Sequence, residues 1–232
     1  MTDSRRIVDL SHPLDTTTPA FPGDPRVEIT VIDSTGPAEG ATAVRALGGS
    51  EGGPRHVNVS RLAMSLHSGT HLDAPFHFIH GGDTVDAIAI ARCVGPATLL
   101  RLDPPPNVIE RAHLRTEETS LRRTRRLVID SGWHRRWRAP DYFSAHPVLS
   151  GDAARFLVEI GVTLVGVDFP SVDRDPFPAH LELLGAGLLI VENLTGLGEL
   201  GPGEFELHAV PLAISGRDGS PVRAFAIARD RS

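Results

Sequence analysis

Short apolar runs bounded by glycine, proline and charged residues dominate this chain, and their length favours strands over helices. The opening Ile7-Val-Asp-Leu-Ser-His-Pro-Leu14 reads as a short strand running into a proline-punctuated loop, Thr18-Pro-Ala-Phe-Pro-Gly-Asp-Pro25. A second strand is expected over 27–32 and a third over 57–66, with further candidates at 97–102, 126–129, 163–167, 188–191 and 222–227. Helical patterning is sparser: short turns at 86–91 and 108–113, and one amphipathic helix over 150–160. In that helix Ser150 is placed to cap the first turn, Asp152 complements the dipole, Phe156, Leu157 and Ile160 share a face, and Gly161 fits the position past the end. This balance predicts an α+β (mixed α/β) fold. Residues 34–56 are glycine-rich and aperiodic, which predicts a long loop of the kind that often serves as a lid. No linker interrupts the chain, so a single domain is expected over 1–232.

Composition narrows the chemistry. All 23 residues counted as Lys+Arg are arginine. Without lysine there is no Schiff-base nucleophile and no ordinary phosphate-binding loop, so acid–base work falls to His, Asp and Glu. The single cysteine, Cys93, forms no internal disulfide and excludes a cysteine-rich zinc site. Formal charge is −6, and the Arg122-Arg123 and Arg125-Arg126 pairs follow Glu117 and Glu118, so they read as a solvated face rather than a nucleic-acid footprint. No run reaches the length of a membrane span, and no signal-like apolar segment follows the N-terminal arginines. The expectation is a cytoplasmic protein acting on a small molecule, with no nucleic-acid or membrane partner.

The most informative segment is His67-Ser-Gly-Thr-His71-Leu-Asp73-Ala-Pro-Phe-His77-Phe-Ile-His80. Gly69 and Pro75 oppose a helix, and the residue before a proline is biased to extended geometry. On a strand, His71 and Asp73 face the same way and can share one metal ion. His67 lies about 20 Å from Asp73 if the chain is fully extended, so a turn at 68–70 must bring it back. Imidazole and carboxylate donors suit Zn²⁺ or Mn²⁺, although a polar loop without metal uses the same residue types. Glu192 ends the apolar run 188–191. If it lies on a buried strand it must be paired or coordinate a metal, and His180 is near enough in sequence to reach the same site.

The segment His67-Ser-Gly-Thr-His-Leu-Asp-Ala-Pro-Phe-His77 resembles the His-x-Gly-Thr-His-x-Asp-x-Pro-x-His signature of the metal-dependent cyclase-like hydrolases, the family of bacterial kynurenine formamidase and isatin hydrolase. Asp9-Leu-Ser-His-Pro-Leu14, Phe21-Pro-Gly-Asp24, Val165-Gly-Val-Asp-Phe-Pro-Ser-Val-Asp173 and Ile190-Val-Glu-Asn-Leu194 resemble further family blocks in the same order. The resemblance implies a swivelling β/β/α fold, a homodimer or homotetramer, and one or two ions per subunit, zinc or manganese. It implies that His67, His71 and Asp73 hold one ion, that Asp73 bridges to a second held by His180 and Glu192, and that His77 is the general acid/base. The implied reaction is hydrolysis of an aryl formamide such as N-formylkynurenine, a step of tryptophan catabolism. The alternative within the family is an isatin-like cyclic amide or a lactone. Kynurenine formamidases typically carry Trp where this chain has Phe21, a substrate-lining position, and the stretch 34–56 looks longer than in compact formamidases.

Three rivals remain open on sequence alone. Gly48-Gly-Ser50-Glu-Gly52 matches the Gly-x-Ser-x-Gly pattern but lacks the strand-to-helix context of a nucleophile elbow. His71, Asp73 and His180 also satisfy the two-histidine-one-carboxylate set of an Fe(II) oxygenase. A non-catalytic metal-binding protein is the third. Cys93 reads as a small packed residue.

Overall fold

The computed structural model describes residues 5–33, 58–201 and 203–229. The strands are β1 (Arg5–Asp9), β2 (Glu28–Asp33), β3 (Asn58–Ala63), β4 (His71–Asp73), β5 (Val94–Arg101), β6 (Val108–Ile109), β7 (Arg126–Asp130), β8 (Val148–Leu149), β9 (Leu164–Val167), β10 (Leu189–Glu192), β11 (Gly203–His208), β12 (Gly219–Pro221) and β13 (Phe225–Arg229). The helices are α1 (Arg111–Arg115), α2 (Glu118–Thr124), α3 (Gly151–Glu159) and α4 (Pro178–Gly185).

A nine-stranded sheet has the order β1-β13-β11-β5-β7-β9-β10-β4-β12. Its centre, β5-β7-β9-β10, is parallel, and both flanks are antiparallel. The parallel strands carry the near-continuous apolar runs of the sequence because helices cover one face and a second core covers the other. Leu127, Ile129, Val165, Val167 and Ile190 pack with Leu114, Leu121, Leu157 and Leu183 from the helices. Val128, Leu164, Leu189 and Val191 point the opposite way, into a core that also takes Val8, Leu72, Leu207 and Ala226. Strands from both flanks thus contribute to one core, and the sheet curls around it.

The expected helix over 150–160 forms as α3, with the Ser150 hydroxyl accepting from the Ala153 N–H at 3.1 Å and Gly161 at φ +81. Residues 108–113 do not make one turn. Val108 and Ile109 pair in parallel with Val148 and Leu149, which buries Ile109 completely, and α1 starts only at Arg111. Residues 86–91 divide into two 3-10 turns, Val85–Ala87 and Ile90–Arg92, because Ile88 and Ala89 between them are extended. The strand expected over 222–227 starts at Phe225, since Val222 bridges to Pro211 and the Ala224 carbonyl is taken by the Leu10 N–H. The stretch 34–56 lies outside the described residues.

Candidate metal centre

In the β10–β4 pair, Glu192 faces His71, Val191 faces Leu72 and Ile190 faces Asp73. Leu72 and Val191 enter the curled core, so the two-residue period of a strand turns His71, Asp73 and Glu192 together to the other side. The expected turn returns His67: the Ser68 N–H donates to the Ser65 carbonyl, Gly69 takes φ +67, and His67 Nδ1 ends 2.7 Å from Asp73 Oδ1. The Gly69 carbonyl accepts from His71 Nδ1 at 3.0 Å. His71 Nε2 then presents its lone pair to Asp73 Oδ1 at 3.3 Å and Glu192 Oε2 at 3.5 Å.

His180 arrives on α4. Pro178 opens the helix and Asp173 caps it, Oδ2 accepting from the N–H groups of Ala179 and His180 at 2.5 and 3.2 Å. The other Asp173 oxygen sits 2.5 Å from His180 Nδ1, which turns Nε2 toward Glu192 Oε1 at 3.6 Å and Asp73 Oδ2 at 4.0 Å. His77 ends the 3-10 turn Pro75–His77, its ring stacked 4.0 Å from that of His67. Asp218, just before β12, takes His67 Nε2 at 2.7 Å and lies 3.5 Å from His77 Nδ1. A Cβ on the next residue, Gly219, would stand 2.7 Å from His67 Cε1, so glycine lets the ring seat there.

His71, Asp73, His180 and Glu192 are all buried, and Asp73 Oδ2 has no hydrogen-bond partner. A buried carboxylate oxygen facing imidazole lone pairs is costly unless a cation joins them. Two donor sets that share Asp73 could hold one: His67, His71 and Asp73, and Asp73, His180 and Glu192, with the atoms of each set within 4.8 Å of one another. The electrostatics make the same demand. Burial opposes charge on His67, yet Asp73 and Asp218 hold it up at about 10. Burial likewise opposes charge on His180, yet Asp173 and Glu192 hold it up at about 10. Burial and the neighbouring Asp73 raise Glu192, whereas His71 and His67 overcome burial and keep Asp73 well below the ordinary carboxylate range. The pocket gathers positive charge, and protons and a metal ion compete to supply it.

Asp130, His134 and Asp168 form a contrasting group. Asp168 accepts from the Ser131 N–H and hydroxyl and from His134, and Asp130 accepts from the Gly132 N–H and Arg101. Each of these carboxylate oxygens is already satisfied, so the group clamps the loop after β7 and asks for no ion.

The donor sets open into a cleft of about 420 Å³ whose walls include Phe21, Phe78, Phe143 and Phe177. Sequence reasoning therefore brings together His67, His71, Asp73, His77, His180, Glu192 and Phe21, and the structure places all of them here. The oxygenase set of His71, Asp73 and His180 leaves aside His67 and Glu192, which belong to the same cluster. Cys93 is buried, and burial pushes its thiol up to about 11, so it is no nucleophile. Ser50 lies outside the described residues.

Sequence reasoning missed Asp173, Asn193 and Asp218. Pro178 downstream of an acidic residue is a helix-start signal that could have exposed Asp173. Asn193, at φ +58, donates from Nδ2 to the Gly69 carbonyl at 2.8 Å and accepts from the Tyr142 hydroxyl at 2.7 Å. Its place after Glu192 was the only hint.

A model of the family described as putative cyclase matches residues 8–174. The chain is 36% identical over 220 residues to a kynurenine formamidase of Bacillus thuringiensis (strain Al Hakam), covering 94% of this chain and 95% of that protein. It is 37% identical over 222 residues to the kynurenine formamidase of Geobacillus thermodenitrificans (strain NG80-2), with the same coverage of 94% and 95%. Among solved structures it is similar to isatin hydrolase A from Labrenzia aggregata bound to benzyl benzoate, with a TM-score of 0.80 and 26% identity over 97% of this chain and 94% of the other.

Proposed function

We propose, for a chain that belongs to the cyclase family and is a metal-dependent amide hydrolase acting on C–N bonds other than peptide bonds, that its substrate is an aryl formamide of the N-formylkynurenine type and that His77 is the general acid/base. The observation that carries this reading is the pair of donor sets sharing Asp73, with its orphaned buried oxygen, beside His77 in an aromatic-walled cleft. His67, His71 and Asp73 would hold one zinc or manganese ion, and Asp73, His180 and Glu192 a second. A divalent ion there supplies electrostatic polarisation of the amide carbonyl and activates water toward attack.

The chain's own residues do the rest. Burial pushes the His77 imidazole down to about 4, with Asp73 opposing and His67 and His180 adding to the effect. His77 is thus neutral at pH 7 and takes a proton from the attacking water. The Asp218 carboxylate, 3.5 Å from Nδ1, favours the imidazolium that forms. That proton then passes to the departing aryl nitrogen, leaving formate and the free arylamine. Phe21 and its aromatic neighbours receive the ring and keep bulk water from the amide.

A cyclic amide such as isatin is the second reading, favoured by the structural match to isatin hydrolase A, and the same residues would open its ring. The discriminating experiment is metal analysis with parallel assays on formanilide, N-formylkynurenine and isatin, using wild type and His77→Ala. The variant should keep its metal while hydrolysis falls at least ~10²-fold; full activity in His77→Ala sinks the assignment. The same reading takes the enzyme as a cytoplasmic homodimer or homotetramer, which light scattering tests. Among the described residues no helix is long and apolar enough to cross a membrane.

A further inference from the structure

The cleft has a carboxylate that the reaction leaves unused. Of the acidic side chains that line it, Glu192 belongs to the donor sets and Asp218 is bonded to His67, which leaves Asp24. Asp24 is half-buried, and among the described residues its side chain has one hydrogen bond, from the Ser65 hydroxyl to Oδ2 at 2.8 Å. No arginine is found among the described residues that line the cleft, and the chain contains no lysine.

The placement of Asp24 is rigid. The Asp24 N–H donates to the Phe21 carbonyl at 2.9 Å across Pro22 and Gly23, and Gly23 takes φ +99, the pattern of a turn that requires glycine at its third position. One tight turn therefore displays both an aromatic ring and a carboxylate into the cleft. Phe21 is braced edge-on against Phe143, with ring centroids 5.6 Å apart. Proline at the second position of the turn removes further backbone freedom, while Phe143 restrains the ring and Ser65 the carboxylate.

We propose that Asp24, held by Ser65, is a specificity-determining residue that receives a cationic amine on the substrate while Phe21 receives its aryl ring. The class of substrate is an aryl amide whose side chain carries an ammonium group a few bonds from the ring. A substrate presenting an anion at that position meets the Asp24 carboxylate, with no arginine among the described lining residues to offset it, and is disfavoured. The inference rests on the aryl formamide reading for its substrates, but the subsite itself is a matter of binding.

The test compares N-formylkynuramine, which carries the amine, with formanilide, which lacks it, on wild type, Asp24→Asn and Ser65→Ala. Asn keeps the acceptor for the Ser65 hydroxyl and removes only the charge. Asp24→Asn should raise KM for N-formylkynuramine about tenfold at nearly unchanged kcat and leave formanilide within about twofold. Ser65→Ala should shift KM in the same direction by less. Equal impairment on both substrates, or none on either, overturns the proposal. Calorimetric binding of kynuramine against ortho-aminoacetophenone gives a readout independent of turnover: wild type should prefer the amine and Asp24→Asn should not. If wild type hydrolyses neither formamide, the reading of the reaction fails, and the calorimetric preference alone decides the role of Asp24.

Discussion

Removing the Asp218 carboxylate should loosen metal binding by freeing His67. Asp218 Oδ2 holds His67 Nε2 at 2.7 Å, while the other ring nitrogen faces Asp73. Hydrogen-bonded partners of ligating imidazoles are worth about 10–100-fold in metal affinity. Because the Asp218 side chain is 37% exposed, solvent screening puts the expected loss at the lower end, about tenfold or ~1.4 kcal/mol for Asp218→Ala. Asp218→Asn still offers an acceptor, and a neutral hydrogen bond is about half as strong as a charge-assisted one, so about threefold is expected. The assay is titration of metal-free protein with Zn²⁺ or Mn²⁺ against a competing chelator, with circular dichroism to confirm folding. An Asp218→Ala protein that folds and binds metal as tightly as wild type would refute the tether. Equal losses in the Ala and Asn variants would refute the hydrogen-bond account and leave charge alone as the cause.

Two further expectations concern buried polar groups outside the donor sets. Asn193→Ala strips the acceptor from the buried Tyr142 hydroxyl, removes one of the two donors to the Gly69 carbonyl and leaves it His71 Nδ1 alone, and puts a Cβ residue without a polar side chain at φ +58; thermal unfolding should show a loss of about 2–4 kcal/mol, and Asn193→Gly should lose about 1 kcal/mol less because it avoids the left-handed penalty. Wild-type stability in both variants would remove Asn193 from the network that seats His71. Burial pushes His146 down from 6.5 to about 4, so between those pH values the unfolded chain binds more protons and stability falls as pH drops. That contribution is fully present above pH 6.5, about 2 kcal/mol of it is lost by pH 5, and His146→Gln should flatten the pH dependence of Tm by a corresponding amount; an unchanged slope would place the acid sensitivity elsewhere.

Segments that bury both faces were legible because nothing but a continuous apolar run satisfies a central parallel strand, and β7, β9 and β10 appear where such runs fall. The helix α4 was not legible in the same way. Its apolar residues follow Pro176, Phe177 and Pro178, a sequence that reads as a loop until Asp173 is seen to cap the first turn. The short strand β12 was hidden for the opposite reason. Gly219-Ser-Pro221 has no strand propensity and joins the sheet only because β4 presents a free edge to it.

The donor residues and their supports differ in legibility for a single physical reason. His67, His71 and Asp73 lie close in sequence, and a two-residue period plus one turn is enough to bring their atoms together. Each imidazole also has a second nitrogen that must be held if the first is to face the pocket. The Gly69 carbonyl holds that of His71, Asp218 that of His67 and Asp173 that of His180. The first of these is a backbone group, which no residue type announces. The second lies 151 positions from its partner, in an Asp-Gly pair that reads as a turn. The third is occupied as a helix cap before it is anything else. Residue type thus reveals which atoms can ligate, whereas the fold decides which nitrogen of each imidazole is free to do so. Sequence alone could name these candidate donors for this reason but could not orient them.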